Sequence, residues 1–259
     1  MENNEISIGY HTTVDHDGTQ PDLPSTVNAL QMFILDPTSL FDKTANNRLP
    51  GFRRSIIKWK TTNNTNKIQK KMFVHGSYTI NLSNPKAYSI NSLKNQLKMA
   101  NEIGASGLVI HCGKRLKATK ESGRKLFIDS VLKCIDRSTK ECPLIIETCV
   151  GAGTEVFWEL ETFQAMSLEL LSKCGNKIGI CVDTAHVWGA GYDPYEFLIS
   201  LDPRVQNMIK LIHFNDSKVE KGSKVDRHEA YGQGFIGAEV LTSVAVWANS
   251  RNIAMVAEW

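Results

Sequence analysis

Eight short apolar runs punctuate this chain, and each ends in, or is soon followed by, a polar residue. The runs are Ile6–Tyr10, Gln31–Leu35, Met72–His75, Gly107–His111, Pro143–Glu147, Ile178–Asp183, Ile209–Phe214 and Ile253–Glu258. Most are continuous in hydropathy rather than alternating, which is the mark of strands buried on both faces of a parallel sheet. Parallel neighbours need long crossovers, and the intervening stretches carry apolar stripes at helical spacing. Leu93, Leu97, Ala100 and Ile103 form one; Leu126, Phe127, Val131, Leu132 and Ile135 a second; Leu160, Phe163, Leu168 and Leu171 a third. Such stripes are helix faces packed on a sheet. Strand and helix alternate over 259 residues, near the ~250 that a (β/α)8 barrel takes. An α/β TIM barrel over residues 1–259, as one domain, is therefore predicted. The last run reaches Glu258 and is followed only by Trp259, so the helix after the eighth strand is expected to be absent.

In such a barrel the strand C-termini and the loops after them share one face, where active sites form. His75, His111, Glu147, Asp183, His213 and Glu258 then end strands three to eight, one each. His186 follows Asp183 by three residues, and Asp226 and His228 form an Asp-x-His pair whose alternate residues point the same way in extended chain. Five imidazoles and four carboxylates favour zinc, with manganese or iron as alternatives for part of the set, over the all-oxygen ions magnesium and calcium. Nine donors exceed the capacity of one ion, which points to more than one metal. Each histidine alone has an ordinary explanation as a core or surface residue; five of the seven at corresponding places do not. Of the other two, His16 carries no assignment and His11 is expected to hydrogen-bond in the barrel core.

The formal net charge of +3 does not by itself select a partner, so the location of the basic residues matters more. Lys114, Arg115 and Lys117 follow the fourth strand, and Lys218, Lys221, Lys224 and Arg227 the seventh. The six cysteines include no Cys-x-x-Cys pair, and no signal peptide follows Met1, so reduced thiols in a cytosol-like compartment are expected. No apolar stretch approaches the roughly 20 residues of a membrane helix, and the glycosylation-type triplets at Asn63 and Asn81 carry no weight without secretion.

Four runs carry a resemblance. They extend from Cys181 to His186 (CVDTAH), from Gly191 to Asp193 (GYD), from His213 to Lys218 (HFNDSK), and from Gly222 to His228 (GSKVDRH) with Gly232 to Gly237 (GQGFIG) after it. In these the chain resembles the endonuclease IV family, zinc-dependent apurinic/apyrimidinic endonucleases of base excision repair. The resemblance implies three zinc ions. One would be held by His75, His111 and Glu147, with Glu147 bridging to a second on Asp183, His213 and Glu258, and the third would lie on His186, Asp226 and His228. It implies Glu147 as a catalytic residue and hydrolysis 5′ to an abasic site in double-stranded DNA, by water acidified through metal coordination. The implied products are a 3′-hydroxyl and a 5′-deoxyribose phosphate, with removal of 3′ blocking groups by the same chemistry. The duplex would be bent and the abasic nucleotide flipped into the pocket. Tyr78, Lys114, Lys218, Lys224 and Arg227 would contact the DNA. A monomer that is not secreted, in cytosol, nucleoid or nucleus, is implied, and a viral source is compatible with this reading.

Three places depart from the family pattern: the Asp36–Arg48 loop, where Arg48 is the candidate groove probe; Cys112-Gly113 after His111; and Thr79 in place of a bulkier side chain. Two other functions fit part of the sequence. A single-metal sugar isomerase or epimerase would be satisfied by Glu147, Asp183, His213 and Glu258, but leaves His75, His111, His186, Asp226 and His228 without a task. A non-catalytic damage-binding barrel has no need to keep all nine donors.

Overall fold

The computed structural model describes residues 7–12, 27–62 and 69–259; Ile6, His16, Asn63 and most of the polar stretch after Thr61 lie outside them. Eight parallel strands close into a barrel. They are β1 (Gly9–Thr12), β2 (Ala29–Phe33), β3 (Lys71–His75), β4 (Leu108–His111), β5 (Leu144–Glu147), β6 (Ile178–Asp183), β7 (Ile209–His213) and, last in the chain, β10 (Ala254–Ala257), which pairs with both β7 and β1. A two-stranded ribbon, β8 (Asp216–Ser217) with β9 (His228–Glu229), stands on the loop after β7. The predicted TIM barrel is thus the observed fold. Three strand predictions are corrected: the first strand runs Gly9–Thr12, later than Ile6–Tyr10, the second lies two residues earlier than Gln31–Leu35, and the eighth ends at Ala257, leaving Glu258 just past it.

Period-two alternation divides the strand residues between two cores. Ala29, Phe73, Val109, Ile145, Cys181, Leu211 and Val256 fill the barrel interior, while Met72, Val74, Leu108, Ile110, Leu144, Ile146, Ile180 and Ile212 pack outward under the helices. Both faces are buried, so the strands read as unbroken apolar runs. Two residues beyond each interior residue the side chain points inward again, one layer higher. Those positions are Gln31, His75, His111, Glu147, Asp183, His213 and Glu258, with His11 two residues after Gly9 on β1. One geometric rule therefore builds the polar layer at the mouth.

The covering helices are α1 (Ala45–Thr61), α2 (Ala87–Glu102), α3 (Lys120–Cys134), α4 (Leu160–Cys174), α5 (Thr184–Gly189), α6 (Pro194–Ser200), α7 (Pro203–Gln206) and α8 (Ala238–Ser250). The predicted stripe supplies the buried face of α2; in α3 it contributes Phe127 and Val131 beside Ile128 and Cys134, and in α4 only Phe163, with Met166 and Leu170 buried in place of the half-buried Leu160, Leu168 and Leu171. Helix α1 buries Leu49, Phe52, Ile56 and Trp59, a stripe that Asn46, Asn47 and Pro50 obscure in sequence. Starts are set by local chemistry: Thr119 caps α3 through Ser122 N–H, and Asp193-Pro194 and Asp202-Pro203 each pair a capping carboxylate with a proline in the first turn. No helix among the described residues is long and apolar enough to cross a membrane.

The long β7–α8 loop is organised by one buried carboxylate. Asp216 accepts the backbone N–H groups of Ser217 (2.8 Å), Gly234 (3.0 Å), Ile236 (2.9 Å) and Gly237 (3.3 Å). This folds the GQGFIG run back so tightly that a Cβ on Gly234 would lie 2.3 Å from the Ser217 carbonyl oxygen. Asp216→Ala strips the acceptor from several buried donors and is expected to cost on the order of 3 kcal/mol or more, measured as a lowered midpoint of urea unfolding; an unchanged midpoint would refute this role.

Candidate metal centre

Glu147 ends β5 at the centre of the mouth, fully buried, with each oxygen facing imidazoles. Its Oε2 lies 3.3 Å from His75 Nε2 and 3.1 Å from His111 Nε2; its Oε1 lies 3.0 Å from His213 Nδ1 and 3.2 Å from His186 Nδ1. Asp183 has two tasks. Oδ1 caps α5 by accepting the His186 N–H (2.8 Å), which fixes the relative placement of these two side chains, and Oδ2 lies 3.7 Å from His213 and 3.6 Å from His228. Glu258 Oε2 is 3.1 Å from His213 Nδ1. Asp226, exposed on its loop, reaches His186 Nε2 (3.2 Å) and His228 Nε2 (3.1 Å).

All nine candidate ligands are thereby brought together. Among the described residues their donor atoms fall into three groups, each with mutual distances within 4.8 Å: His75, His111 and Glu147; Glu147, Asp183, His213 and Glu258; and Asp183, His186 and His228. The first two coincide with the sets expected from sequence. In the third, Asp183 stands where Asp226 was expected, with Asp226 within reach of both histidines from the solvent side.

The hydrogen-bond pattern tests whether cations fit here. His75 Nδ1 donates to the Gly76 carbonyl (2.8 Å) and His186 Nδ1 to the Thr148 carbonyl (2.9 Å), so in the neutral rings the Nε2 lone pairs face carboxylates. His228 Nε2 is buried, with no hydrogen bond aligned to either carboxylate beside it. A lone pair aimed at an anion is repelled unless a proton or a metal cation lies between them. Every ion-pair partner of Glu147, Asp183, Asp226 and Glu258 among the described residues is an imidazole, with no Lys or Arg. The field is strongly cation-attracting. Burial works against charge at Glu147, yet the charges of His111 and His213 hold its carboxyl well below the usual range, and His186 and His228 do the same for Asp226. Conversely, burial opposes protonation of His186 and His213, but neighbouring anions, Asp183 at His186 and Glu258 and Glu147 at His213 among them, raise both well above the ordinary value. Anionic carboxylates set against imidazoles, with mixed nitrogen and oxygen donors, suit divalent transition metals, which would take the place of the imidazole protons.

Two residues of this layer were not singled out in sequence. Gln31, wholly buried on β2, donates its amide to Glu258 Oε1 (2.7 Å) and to His11 Nδ1 (3.1 Å). Since Glu258 can only accept, the amide orientation is fixed, and Gln31 Oε1 accepts from His213 Nε2 (2.9 Å). That bond sets the His213 tautomer and presents Nδ1 to the cluster. Asn215 donates to Asp183 Oδ2 (2.8 Å) and accepts the Glu258 N–H (2.9 Å), tying the last ligand to β7. The inward-facing layer offset by two residues from the interior core would have exposed Gln31, had the second strand been placed in its observed register. His11 does hydrogen-bond in the barrel, as expected.

The residues expected to meet DNA are placed differently from one another. Tyr78 is exposed, its ring edge-on to His75 (5.1 Å between centroids) and Phe33 (5.2 Å). Lys114 and Lys218 are exposed and loosely paired with Glu155 and Glu229 at 3.9 Å, and exposed Arg227 donates to its neighbour's Asp226 carbonyl. Lys224 turns inward onto Trp158. Arg48, the candidate groove probe, lies in the first turn of α1 and not in the expected Asp36–Arg48 loop, which ends before Ala45; it is tied to Asp42 of the preceding loop, which exposes Phe41.

Residues 42–259 match the family described as xylose isomerase-like TIM barrel. The chain is 35% identical over 246 residues to the "Probable endonuclease 4" of Mesomycoplasma hyopneumoniae strain 7448, covering 92% of this chain and 85% of that relative. The crystal structure of endonuclease IV from Thermus thermophilus superposes with a TM-score of 0.76 at 22% identity, covering 98% of this chain and 92% of the other. A D-tagatose 3-epimerase-like protein also superposes, with a TM-score of 0.68 at 14% identity over 97% of this chain and 90% of its own. These structural likenesses speak for the barrel alone; the sequence relative speaks for the family.

Gln31→Leu removes the acceptor of His213 and the donor to Glu258 while keeping side-chain volume. Retention of divalent metal is expected to weaken about 10- to 100-fold, measured by competition with a chromogenic chelator. Equal retention by variant and wild type would show that Gln31 does not orient these ligands.

Proposed function

The chain belongs to the endonuclease IV family of xylose isomerase-like TIM barrels, and from that premise we propose that it cleaves double-stranded DNA 5′ to abasic sites. Hydrolysis leaves a 3′-hydroxyl and a 5′-deoxyribose phosphate, and the same site removes 3′ blocking groups. The observation that carries this reading is the central carboxylate, Glu147, with imidazoles on both oxygens inside a set of nine donors. A one-metal isomerase would need only part of that set.

Three zinc ions fit this donor set: His75, His111 and Glu147 would hold one, Glu147, Asp183, His213 and Glu258 the second, and His186 and His228, with Asp226 or Asp183, the third. Zinc so held supplies Lewis acidity toward phosphoryl oxygens and makes water nucleophilic near neutral pH. The protein's part is to hold these donors in a dry, rigid layer and to orient the substrate. Buried Glu147 holds two sets in register through its two oxygens. Gln31 and Asn215 keep His213, Asp183 and Glu258 aimed inward.

Beside the cluster opens a cavity of about 810 Å³ lined by Tyr10, His11, Phe33, Tyr78, Tyr231 and Glu258 among others. An abasic sugar swung out of the duplex would enter it, a step that costs least where no base has to be unstacked. Tyr78 would meet the sugar face, and Lys114, Lys218 and Arg227 would neutralise flanking phosphates, which fixes register without reading sequence.

The deciding experiment uses a duplex oligonucleotide with one reduced abasic analogue, which cannot undergo β-elimination. A single cut 5′ to the lesion, with a 3′-hydroxyl identified by mass, is expected from zinc-loaded protein. Glu147→Gln is expected to lower kcat by about 100-fold or more. Absence of any cut by folded, zinc-loaded protein would overturn the proposal.

A further inference from the structure

Asp226 and His228 differ from the other candidate ligands in where they stand. The others end barrel strands, follow one directly like Glu258, or sit like His186 on a helix that directly follows one; these two ride on the segment between β8 and α8, His228 opening β9 opposite Ser217 and Asp226 exposed two residues before it. A loop that brings Asp226 to 3.2 Å from His186 and to 3.1 Å from His228 must be held. The β8–β9 ribbon holds one side, with Lys218 N–H donating to the Arg227 carbonyl (2.9 Å), and on the other side a pair of lysines is laid on tryptophans. Lys224 Nζ sits 3.5 Å from the centroid of the Trp158 ring and donates to the Ala190 carbonyl (2.6 Å). Lys221 Nζ lies over Trp188 at 5.4 Å.

The backbone is built around the first of these contacts. Lys224 N–H donates to the Gly189 carbonyl (3.0 Å), and Lys224 adopts φ +59°, a left-handed conformation that L side chains rarely take. Gly151 makes room for the stack: a Cβ there would meet Trp158 at 2.9 Å and Lys224 Cδ at 3.2 Å. Trp188 Nε1 donates to the Val219 carbonyl (3.2 Å) and the Gly222 N–H to the Trp188 carbonyl (3.0 Å), so the loop is bonded to α5, the helix that carries His186. A strained backbone persists where its surroundings over-determine it, and here the side chain of the strained residue is itself the anchor.

We propose that Lys224 is a positioning residue for the metal subsite formed by His186, Asp226 and His228: its ammonium, clasped between the Trp158 face and the Ala190 carbonyl, sets the loop from which Asp226 and His228 reach His186. The inference rests on the metal reading under Proposed function. It assigns Lys224 to the protein's own architecture instead of to a DNA phosphate. A cation over an indole face gains most where it is desolvated, and Lys224 is only partly accessible.

The test compares wild type, Lys224→Met, Lys224→Arg and Trp158→Leu, each loaded with zinc and dialysed. Readouts are metal per chain by elemental analysis, the rate at which a chromogenic chelator removes it, and the KM, kcat and salt dependence of abasic-site cleavage. Wild type is expected to retain three ions. Lys224→Met, which keeps the alkyl stem but not the charge, is expected to release one ion about tenfold faster or more, with kcat lowered and KM for DNA unchanged. Arg, also cationic and able to stack, should restore retention, and Trp158→Leu should reproduce the selective loss if the Met variant fails to fold. Unaltered metal release from folded Lys224→Met overturns the inference, as does a raised KM with a shallower salt slope and intact metal, the signature of a phosphate contact. Wild type that retains no metal would instead sink the reading on which the inference rests.

Discussion

The mouth of this barrel is organised around one buried carboxylate. Glu147 has no contact with bulk water and no Lys or Arg against it among the described residues, yet it stays ionised because imidazoles surround both oxygens. A lone carboxylate at that depth would be driven to protonate, since removing its charge from water costs several kcal/mol. The imidazoles cannot fully solve the problem alone. Where their second nitrogen is committed to a carbonyl, as at His75 and His186, the ring either takes a proton or turns a lone pair toward an anion. Divalent cations resolve both demands at once, accepting lone pairs from nitrogen and charge from oxygen. The donor arrangement therefore favours cations, and the chemistry proposed for the site starts from that.

The barrel makes the device inexpensive to assemble. Each strand needs only a side chain two positions beyond an interior apolar one, so Phe73 is followed by His75, Val109 by His111, Ile145 by Glu147, Cys181 by Asp183, Leu211 by His213 and Val256 by Glu258. Packing below holds the layer above it. The interior core thus sets ligand geometry as well as stability, and a shift of one residue in any strand would send its ligand outward into the helix layer.

That regularity explains what could be read from sequence and what could not. The ligands on β3 to β7 were legible because an apolar run terminates on a polar residue, a signal that does not depend on exact strand limits. Gln31 was not legible in that way, since it lies in mid-strand and the apolar residues after it, Ile34 and Leu35, pulled the predicted strand toward the loop. Asn215 and Asp216 act through backbone groups of a loop whose path no periodicity describes. Lys224 reads in sequence as one more cation in a basic loop, and only the folded chain places its ammonium on Trp158, more than sixty positions earlier. Candidate ligands that close an apolar run or fall in a short motif, like the Asp226-x-His228 pair, were within reach of sequence reasoning, whereas Gln31 in mid-strand and residues that act through loop topology were not.

The same division bears on how a common barrel comes to serve different chemistries. A D-tagatose 3-epimerase-like protein shares this fold at a TM-score of 0.68, so strand geometry by itself does not choose between sugar and DNA chemistry. The strand-borne group of Glu147, Asp183, His213 and Glu258 is the part that any such barrel could present. What sets this chain apart is His75 and His111 at the ends of β3 and β4 and, outside the barrel strands, His186 held by the cap on α5 with Asp226 and His228 delivered by a loop that needs its own anchors. Loops tolerate change better than strands, so a third ligand group added to a two-part centre is most readily built there. Its placement on the solvent side of His186, beside exposed Lys218 and Arg227, also puts added positive charge where a phosphodiester backbone would approach. On the proposed reading, a third metal subsite and the approach of a polyanion would both depend on this one loop.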